Sequence, residues 1–448
     1  MIDEKITKIV QENSKLLNII RCFGSADRNL LCNIMGMSWP TIQKSIEQLK
    51  EVGVISNCIG KNENQEAKKE EFLINPNVGY YIGISVGGSQ MKVCIMDMAF
   101  KILEQKYLFD EMIDKYGLFQ DKVRKIKRCK KESVYGYIYM NTPTEFLELQ
   151  DLLNYVLDEI IRLSENVRLE NAVIFGVGFA FTGAINNRKR EIMKAYNLEC
   201  FNILPMQYDS LIYPEKIAYF TSNNMHITFD NIAKAAIVSE KYALYDLENP
   251  NSVYRNRKNI GCIYLGSGLG SAFVLDNRLY RGTSNFSEVG HIDVGDPDKL
   301  LEKRSGEMFD AGLCTCGGKN CLEHKIRTNV FEMTSKEFRS YSASELKAKF
   351  YEKKDAEIRL QILAYYINQA IKISTNILNL DLIILTGKLT QFMDELGRYL
   401  YNEKANNPIS YTNADCSLVT STYGALAPAA GAAILSAFRD GGEEIIWY

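Results

Sequence analysis

Residues 314–323 read Cys314-Thr315-Cys316-Gly317-Gly318-Lys319-Asn320-Cys321-Leu322-Glu323. Three thiols fall within eight residues, and Gly290-His291 lies upstream. Thiolates and a neutral imidazole at short spacing, with glycines that let the backbone turn around an ion, are what a closed tetrahedral zinc site requires. The pattern predicts a structural Zn2+ held by His291, Cys314, Cys316 and Cys321. The plainer alternative is three small buried side chains in a glycine-rich turn. Glu288 and Glu323 flank the two halves of the motif, so a metal there would hold two carboxylates in one place.

A disulfide framework is a poor reading of these thiols. The chain has 11 cysteines, an odd number, and opens Met1-Ile2-Asp3-Glu4-Lys5 without the apolar segment of a secretory signal. No apolar run of about 18 residues is present to span a membrane. A cytoplasmic protein with reduced thiols is expected. Its 448 residues suit two or three domains, and 46 % hydrophobic with 24 % charged residues is ordinary globular composition. A net charge of −2 gives the whole molecule no bulk attraction to nucleic acid, so any DNA contact must be local.

Three helical patterns follow one another near the start. Leu16, Leu17, Ile19, Ile20 and Phe23 mark one apolar face; Leu30, Leu31, Ile34 and Met35 mark a second; Ile42, Ile46 and Leu49 mark a third. Gly36-Met37-Ser38 separates the last two. Glycine permits a tight turn, Ser38 can cap the next helix, and Pro40 is tolerated in its first turn. This is a helix-turn-helix pattern, and Gly53-Val54-Ile55 with Phe72-Leu73-Ile74 suits a two-stranded wing. A DNA-reading helix from Trp39 to Leu49 would enter the major groove by its N-terminal end, with Ser38, Thr41, Gln43 and Lys44 as contacts. Residues 1–75 carry ten Lys/Arg and ten Asp/Glu, so a second copy from a homodimer partner would help supply the missing positive charge. A small helical dimerisation module is the competing reading.

Beyond Pro76–Gly79 the chain alternates strands and helices, an α/β pattern. Tyr80–Asp97 reads as a hairpin around Gly87-Gly88, and Cys262–Leu275 as a second around Gly266–Gly270. Two such glycine-turn hairpins suggest a duplicated architecture with a cleft between its halves. Ala172–Gly178 and Leu382–Gly387 read as buried strands, a long helix spans about Ile358 to Leu378, and Gly424–Ala433 fits a closely packed helix.

On these residues the chain resembles the ROK family (repressor, open reading frame, kinase). The hairpin at Gly83–Gln90 resembles the family's first phosphate motif and Gly266–Gly270 the second. Glu288-Val289-Gly290-His291 resembles its Glu-x-Gly-His element, and Cys314–Glu323 its cysteine signature, with Asn320 in place of a glycine. The resemblance implies an actin-like, two-lobed sugar-kinase fold preceded by a winged helix-turn-helix. It divides the chain into a DNA-binding domain at 1–75, a first lobe at 76–200 plus 430–448, and a second lobe with the zinc motif at 201–429. It implies that Asn231, Glu288, His291 and Glu323 hydrogen-bond sugar hydroxyls. Twenty-two residues lie between His291 and Cys314, longer than the family pattern, so His324 competes as the fourth ligand; His291 is preferred.

Phosphoryl transfer needs a base beside the sugar hydroxyl. The gapless match to the family's Asn-Asp-Ala-Asn run is Asn231-Ile232-Ala233-Lys234, so Ile232 occupies the aspartate position and cannot accept a proton. A shifted register would promote Asp230 instead. Ser85 also stands where the first phosphate motif carries an acidic residue. The expectation is a catalytically inactive, sugar-responsive regulator, a repressor that binds operator DNA as a homodimer or higher homo-oligomer. The alternative is an ATP-dependent sugar kinase with an appended DNA-binding domain. Lys122–Lys131 carries seven basic residues in ten, read as a solvated face or an auxiliary DNA contact.

Overall fold

The computed structural model describes residues 2–59, 70–88, 90–102, 137–141, 145–168, 172–187, 189–195, 198, 204–246, 248–282, 287–305, 309–310, 312–406, 416–438, 445 and 447–448. The basic run Lys122–Lys131 lies outside the described residues.

The chain begins with four helices, α1 (Ile2–Glu12), α2 (Ser14–Phe23), α3 (Arg28–Met35) and α4 (Trp39–Glu51). Asp27 caps α3 by accepting the Leu30 N–H at 2.7 Å, and Gly36 ends it in the left-handed conformation at φ 65°. Ser38 precedes α4 with extended backbone, but its hydroxyl meets Thr41 Oγ1 at 3.1 Å rather than a helix N–H. Strands β1 (Ala26–Asp27), β2 (Ile55–Ile59) and β3 (Glu70–Ile74) form an antiparallel sheet in the order β1-β3-β2. The wing therefore has three strands rather than the two expected, and α1 was not read from the sequence. Leu31, Ile42, Ile46, Leu49 and Phe72 are buried together between the helices and the wing.

Two five-stranded sheets build the body. The first has the order β11-β7-β4-β5-β6, from β4 (Gly79–Val86), β5 (Gln90–Asp97), β6 (Tyr137–Asn141), β7 (Val173–Phe181) and β11 (His226–Asn231). The second has the order β14-β13-β12-β15-β16, from β12 (Ile260–Leu265), β13 (Leu269–Leu275), β14 (Arg278–Tyr280), β15 (Leu382–Thr386) and β16 (Ser417–Thr420). A small sheet of β8 (Ala184–Asn186), β9 (Glu191–Lys194) and β10 (Met206–Gln207) extends from the first. Both glycine-turn hairpins appear as read, β4 against β5 and β12 against β13. β11 pairs in parallel with β7, so the expected change of lobe at residue 201 falls before a strand hydrogen-bonded into the first sheet.

The helices packed on the sheets include α5 (Phe146–Arg168), α6 (Ile232–Ala243), α7 (Ala356–Leu378) and α8 (Ala427–Leu435). α6 and α8 form a double layer between the two sheets, and small residues stand where the two helices meet. A Cβ on Gly83 of β4 would lie 1.8 Å from Ala429 O of α8, and one on Gly431 of α8 would lie 1.6 Å from Ala235 O of α6. Across the second sheet, the Gly270 position meets the Ala233 side chain. Every residue of α6 is buried, including Lys234, Glu240 and Lys241. Lys241 Nζ donates to Arg255 O and Arg257 O at 3.1 and 2.7 Å. Glu240 accepts from Thr422 N and Tyr423 N at 2.8 and 3.1 Å and from the Ser421 hydroxyl, which ties the loop before α8 to α6.

Among the described residues, no helix is long and apolar enough to cross a membrane.

An added methyl at Gly431 must push two helices apart, although alanine is the better helix former by roughly 1 kcal/mol. Gly431→Ala is expected to lower unfolding free energy by about 3 kcal/mol, at the upper end of overpacking costs, read from the urea midpoint.

Candidate functional site

A cavity of about 240 Å³ opens between the two sheets. Its walls include Gly87 and Gly88 from the first hairpin turn, Ser267 and Gly268 from the second, and Asn231 with Ile232 at the β11–α6 junction. Glu288, His291, Cys316 and Glu323 close the remaining side. All four side chains expected to meet sugar hydroxyls thus line one cavity.

Each is held by a different device. Asn231 ends β11 and caps α6: its Oδ1 accepts from Ala233 N and Lys234 N at 2.9 and 3.2 Å. Its Nδ2 donates to Gly183 O at 2.5 Å, so most of its hydrogen-bonding capacity serves the fold. Glu288 is exposed and opens the short 3-10 turn Val289–His291, its carbonyl accepting the His291 N–H at 3.0 Å. Glu323 sits in the single turn Leu322–Lys325, directly after Cys321. Its Oε2 accepts the Leu269 N–H at 2.8 Å, while Oε1 is buried with no hydrogen-bond partner among the described residues. Burial pushes its carboxyl above the usual carboxylate range, against the pull of His291 and the Leu269 N–H. A buried carboxylate oxygen with one unfilled acceptor direction is costly unless a ligand donor completes it.

Beside this wall, His291, Cys314, Cys316 and Cys321 bring one ligand atom each to within 4.8 Å of one another. Cys314 Sγ faces His291 Nδ1 at 3.5 Å, and Cys316 Sγ lies 3.4 Å from Cys321 Sγ. The four belong to segments brought together by the backbone: Val294 N donates to Asn320 O at 3.2 Å and Leu322 N to Ile292 O at 3.0 Å. Burial alone would raise the Cys314 thiol, but hydrogen bonds from His291 and the Cys316 backbone outweigh it and bring it down to about 7. One imidazole and three thiols, one of them already acidic, form a donor set that can bind a metal ion. His324 is not part of it. Its Nδ1 meets Arg327 NH2 at 2.8 Å, and burial with that guanidinium holds its imidazole below the ordinary range.

Ile232 lines the cavity as the first residue of α6 and is 6 % exposed. Asp230, the shifted alternative, is not among the lining residues. It is buried, with Oδ1 accepting the Asn231 N–H at 2.7 Å and Oδ2 paired to Arg281 at 2.7 Å. Lys234 also lies close by, donating to Tyr280 O at 3.3 Å and Ser287 Oγ at 3.5 Å; burial lowers its ammonium to about 8. Sequence reasoning missed Thr182, Gly183, Lys194 and Tyr264, which also face the cavity. Their placement follows from strand pairing between distant segments, for which no local signal exists. The four residues expected to touch DNA, Ser38, Thr41, Gln43 and Lys44, are all exposed on the turn and first half of α4. Gln43 Nε2 donates to Glu47 at 2.8 Å.

Comparison with known proteins fits this arrangement. Residues 139–438 match the ROK family model. The chain belongs to the ROK family. It is 21 % identical over 300 residues to a xylose repressor of Caldicellulosiruptor bescii, covering 66 % of this chain and 59 % of that one. A xylose repressor of Bacillus subtilis is 20 % identical over 324 residues, covering 72 % of this chain and 66 % of that protein. The chain thus spans less than two thirds of the length of these relatives. An N-acetyl-D-glucosamine kinase of Haemophilus influenzae is 22 % identical over 319 residues, 70 % of this chain and 85 % of the kinase. Among solved structures, a ROK family transcriptional regulator, a homolog of the E. coli MLC protein, superposes with a TM-score of 0.60 at 15 % identity over 98 % of this chain and 96 % of that one. Its coverage takes in the N-terminal helices as well as the two-sheet body, so the two proteins share a fold along nearly the whole chain.

Removing one member of a buried charge pair leaves the other uncompensated, at a cost of about 3–5 kcal/mol. Asp230→Ala is expected to lose about 3 kcal/mol in denaturant unfolding, and adding Arg281→Met should recover at least half of the loss.

Proposed function

We propose that this protein is a sugar-responsive transcriptional repressor that binds operator DNA through α4 as a dimer, takes a sugar in the interlobe cavity, and does not phosphorylate it. The observation that carries the reading is that Glu323 and Ile232 line the same cavity. A buried carboxylate oxygen awaits a hydroxyl donor, while the position expected to hold the proton acceptor is aliphatic. Such a cavity suits recognition of hydroxyls, because a site built around buried polar groups rejects ligands that cannot pair with them. It does not suit proton abstraction. The xylose repressors among the relatives make D-xylose the first sugar to try.

In this reading His291, Cys314, Cys316 and Cys321 hold a structural zinc ion. The ion would fix the loop bearing His291 against the turn bearing Glu323, supplying rigidity and no chemistry of its own. Sugar occupancy shifts the balance between two lobe arrangements and so the spacing of the two DNA-reading heads. Kinase relatives supply the second reading, an ATP-dependent sugar kinase that would have to release Asp230 from Arg281.

Four measurements test the proposal. In a thermal-shift screen with D-xylose, D-glucose and N-acetyl-D-glucosamine, at least one sugar at 100 times its Kd should raise Tm, by linkage worth about 2.7 kcal/mol. Glu323→Ala should abolish that shift, and no shift with any sugar counts against the cavity reading. A coupled ADP-release assay with the same sugars should give no turnover; turnover that vanishes in Asp230→Ala establishes the kinase instead. Purified protein should carry one zinc per chain, falling below half in Cys316→Ser, and a metal-free native chain removes the zinc assignment. A gel shift on the DNA upstream of its own gene should show retardation at low salt; its absence with and without sugar points to a scaffold.

A further inference from the structure

α6 touches both ends of the regulatory problem. Its first turn lies in the cavity wall, through the cap residue Asn231 and through Ile232. Two residues further on, Lys234 reaches the carbonyl of Tyr280 and the hydroxyl of Ser287, and Ser287 lines the cavity as well. About 18 Å away, at 1.5 Å per residue, the last turn meets the winged helix. There the Tyr242 hydroxyl donates to Asn18 Oδ1 of α2, and both residues are buried.

The contact sits inside an aromatic junction. The Tyr242 ring lies edge-on to Phe100 at 5.1 Å and to Trp447 at 5.6 Å. Arg21, also on α2, donates to Met98 O at 3.0 Å and stacks 3.9 Å over the Phe100 ring. Trp447 N donates to Asn277 O at 3.0 Å, and the Tyr245 hydroxyl donates to Tyr448 O at 3.0 Å. Gln11 of α1 adds a bond to Asn224 O at 2.8 Å. The DNA-reading domain is thus seated on the body through its own core, and the same cluster of buried residues runs from Leu16 and Ile20 through Tyr242 to Trp447.

α6 is fully buried and packs against α8 at backbone distance, so it has no room to bend and little to compress. A ligand that pulls on Asn231 alters the acceptor that holds the free Ala233 and Lys234 N–H groups in the first turn of α6. A packed rod of this kind responds by shifting as a unit between discrete fits. We infer that α6 transmits cavity occupancy to the winged helix, with the Tyr242–Asn18 contact and its aromatic surround as the output. The inference rests on the reading of the cavity as an effector site.

Hydrogen exchange on the full chain, followed by mass spectrometry, tests it. The probe is whichever of D-xylose, D-glucose or N-acetyl-D-glucosamine raises Tm. Saturating sugar should change exchange in peptides covering residues 231–235 and 18–22 of the native protein. In Tyr242→Phe the response at 231–235 should persist and that at 18–22 should fall at least fivefold. Asn18→Leu, which removes the acceptor from the other side, should give the same separation and serves if Tyr242→Phe does not fold. In the gel shift, the effect of the sugar on DNA retention should drop from roughly tenfold to under twofold in either variant. A response at 18–22 that is unchanged in the variants, or missing in the native protein while 231–235 responds, overturns the relay. If no sugar alters exchange at 231–235, the cavity reading has failed, and Asn231→Ala decides the relay without a ligand. Loss of that cap must change exchange at 18–22 in the native background and not in Tyr242→Phe; any other result overturns it.

Discussion

The close approach of α6 and α8 is the constraint on which the rest depends. Backbone meets backbone where Gly431 faces Ala235, and the first sheet rests on α8 where Gly83 faces Ala429. These helices carry alanine and glycine because anything larger would separate the sheets. Once the pair is in place, the start of α6 must fall at the mouth between the two hairpin turns. Asn231, Ile232, Gly87 and Gly268 then share one cavity without further instruction. The loop Ser421–Gly424 is tied to the same helix by Glu240, whose carboxyl is raised by burial and held by three donors.

The site itself is assembled from two kinds of support. Asn231 is fixed by hydrogen bonds it makes to its own helix and to Gly183, so its orientation belongs to the fold. Glu323 is fixed through Leu269 and through the turn that follows Cys321. The first kind survives wherever the double helix layer survives. The second depends on the thiol and imidazole cluster staying together, since the turn bearing Glu323 starts at one of its members.

Local patterns exposed much of this and long-range pairing hid the rest. Alternating apolar residues around glycine turns announced both hairpins, and three cysteines in eight residues announced the cluster, because each signal lies within one short segment. α1 escaped notice because only Asn13 separates it from α2, with no glycine or proline to mark a boundary. β1 is two residues long and exists only through its pairing with β3. The fate of Asp230 was equally hidden: its partner Arg281 lies 51 positions along the chain, and nothing local distinguishes a committed carboxylate from an available one. Composition could not say which histidine joins the thiols. Packing decided it, since His324 is turned toward Arg327 and His291 toward Cys314.

Asn231 faces the cavity and also holds the first turn of α6, and this double duty narrows the ways in which the cavity lining can vary. A substitution at that position would loosen the scaffold in the same step. Substitutions at Glu288 are free of that penalty because it is exposed, whereas Ile232 is buried in the core beside Asn231 and shares the constraint. Diversity among close relatives should therefore concentrate at the Glu288 side of the opening, leaving the β11–α6 junction monotonous.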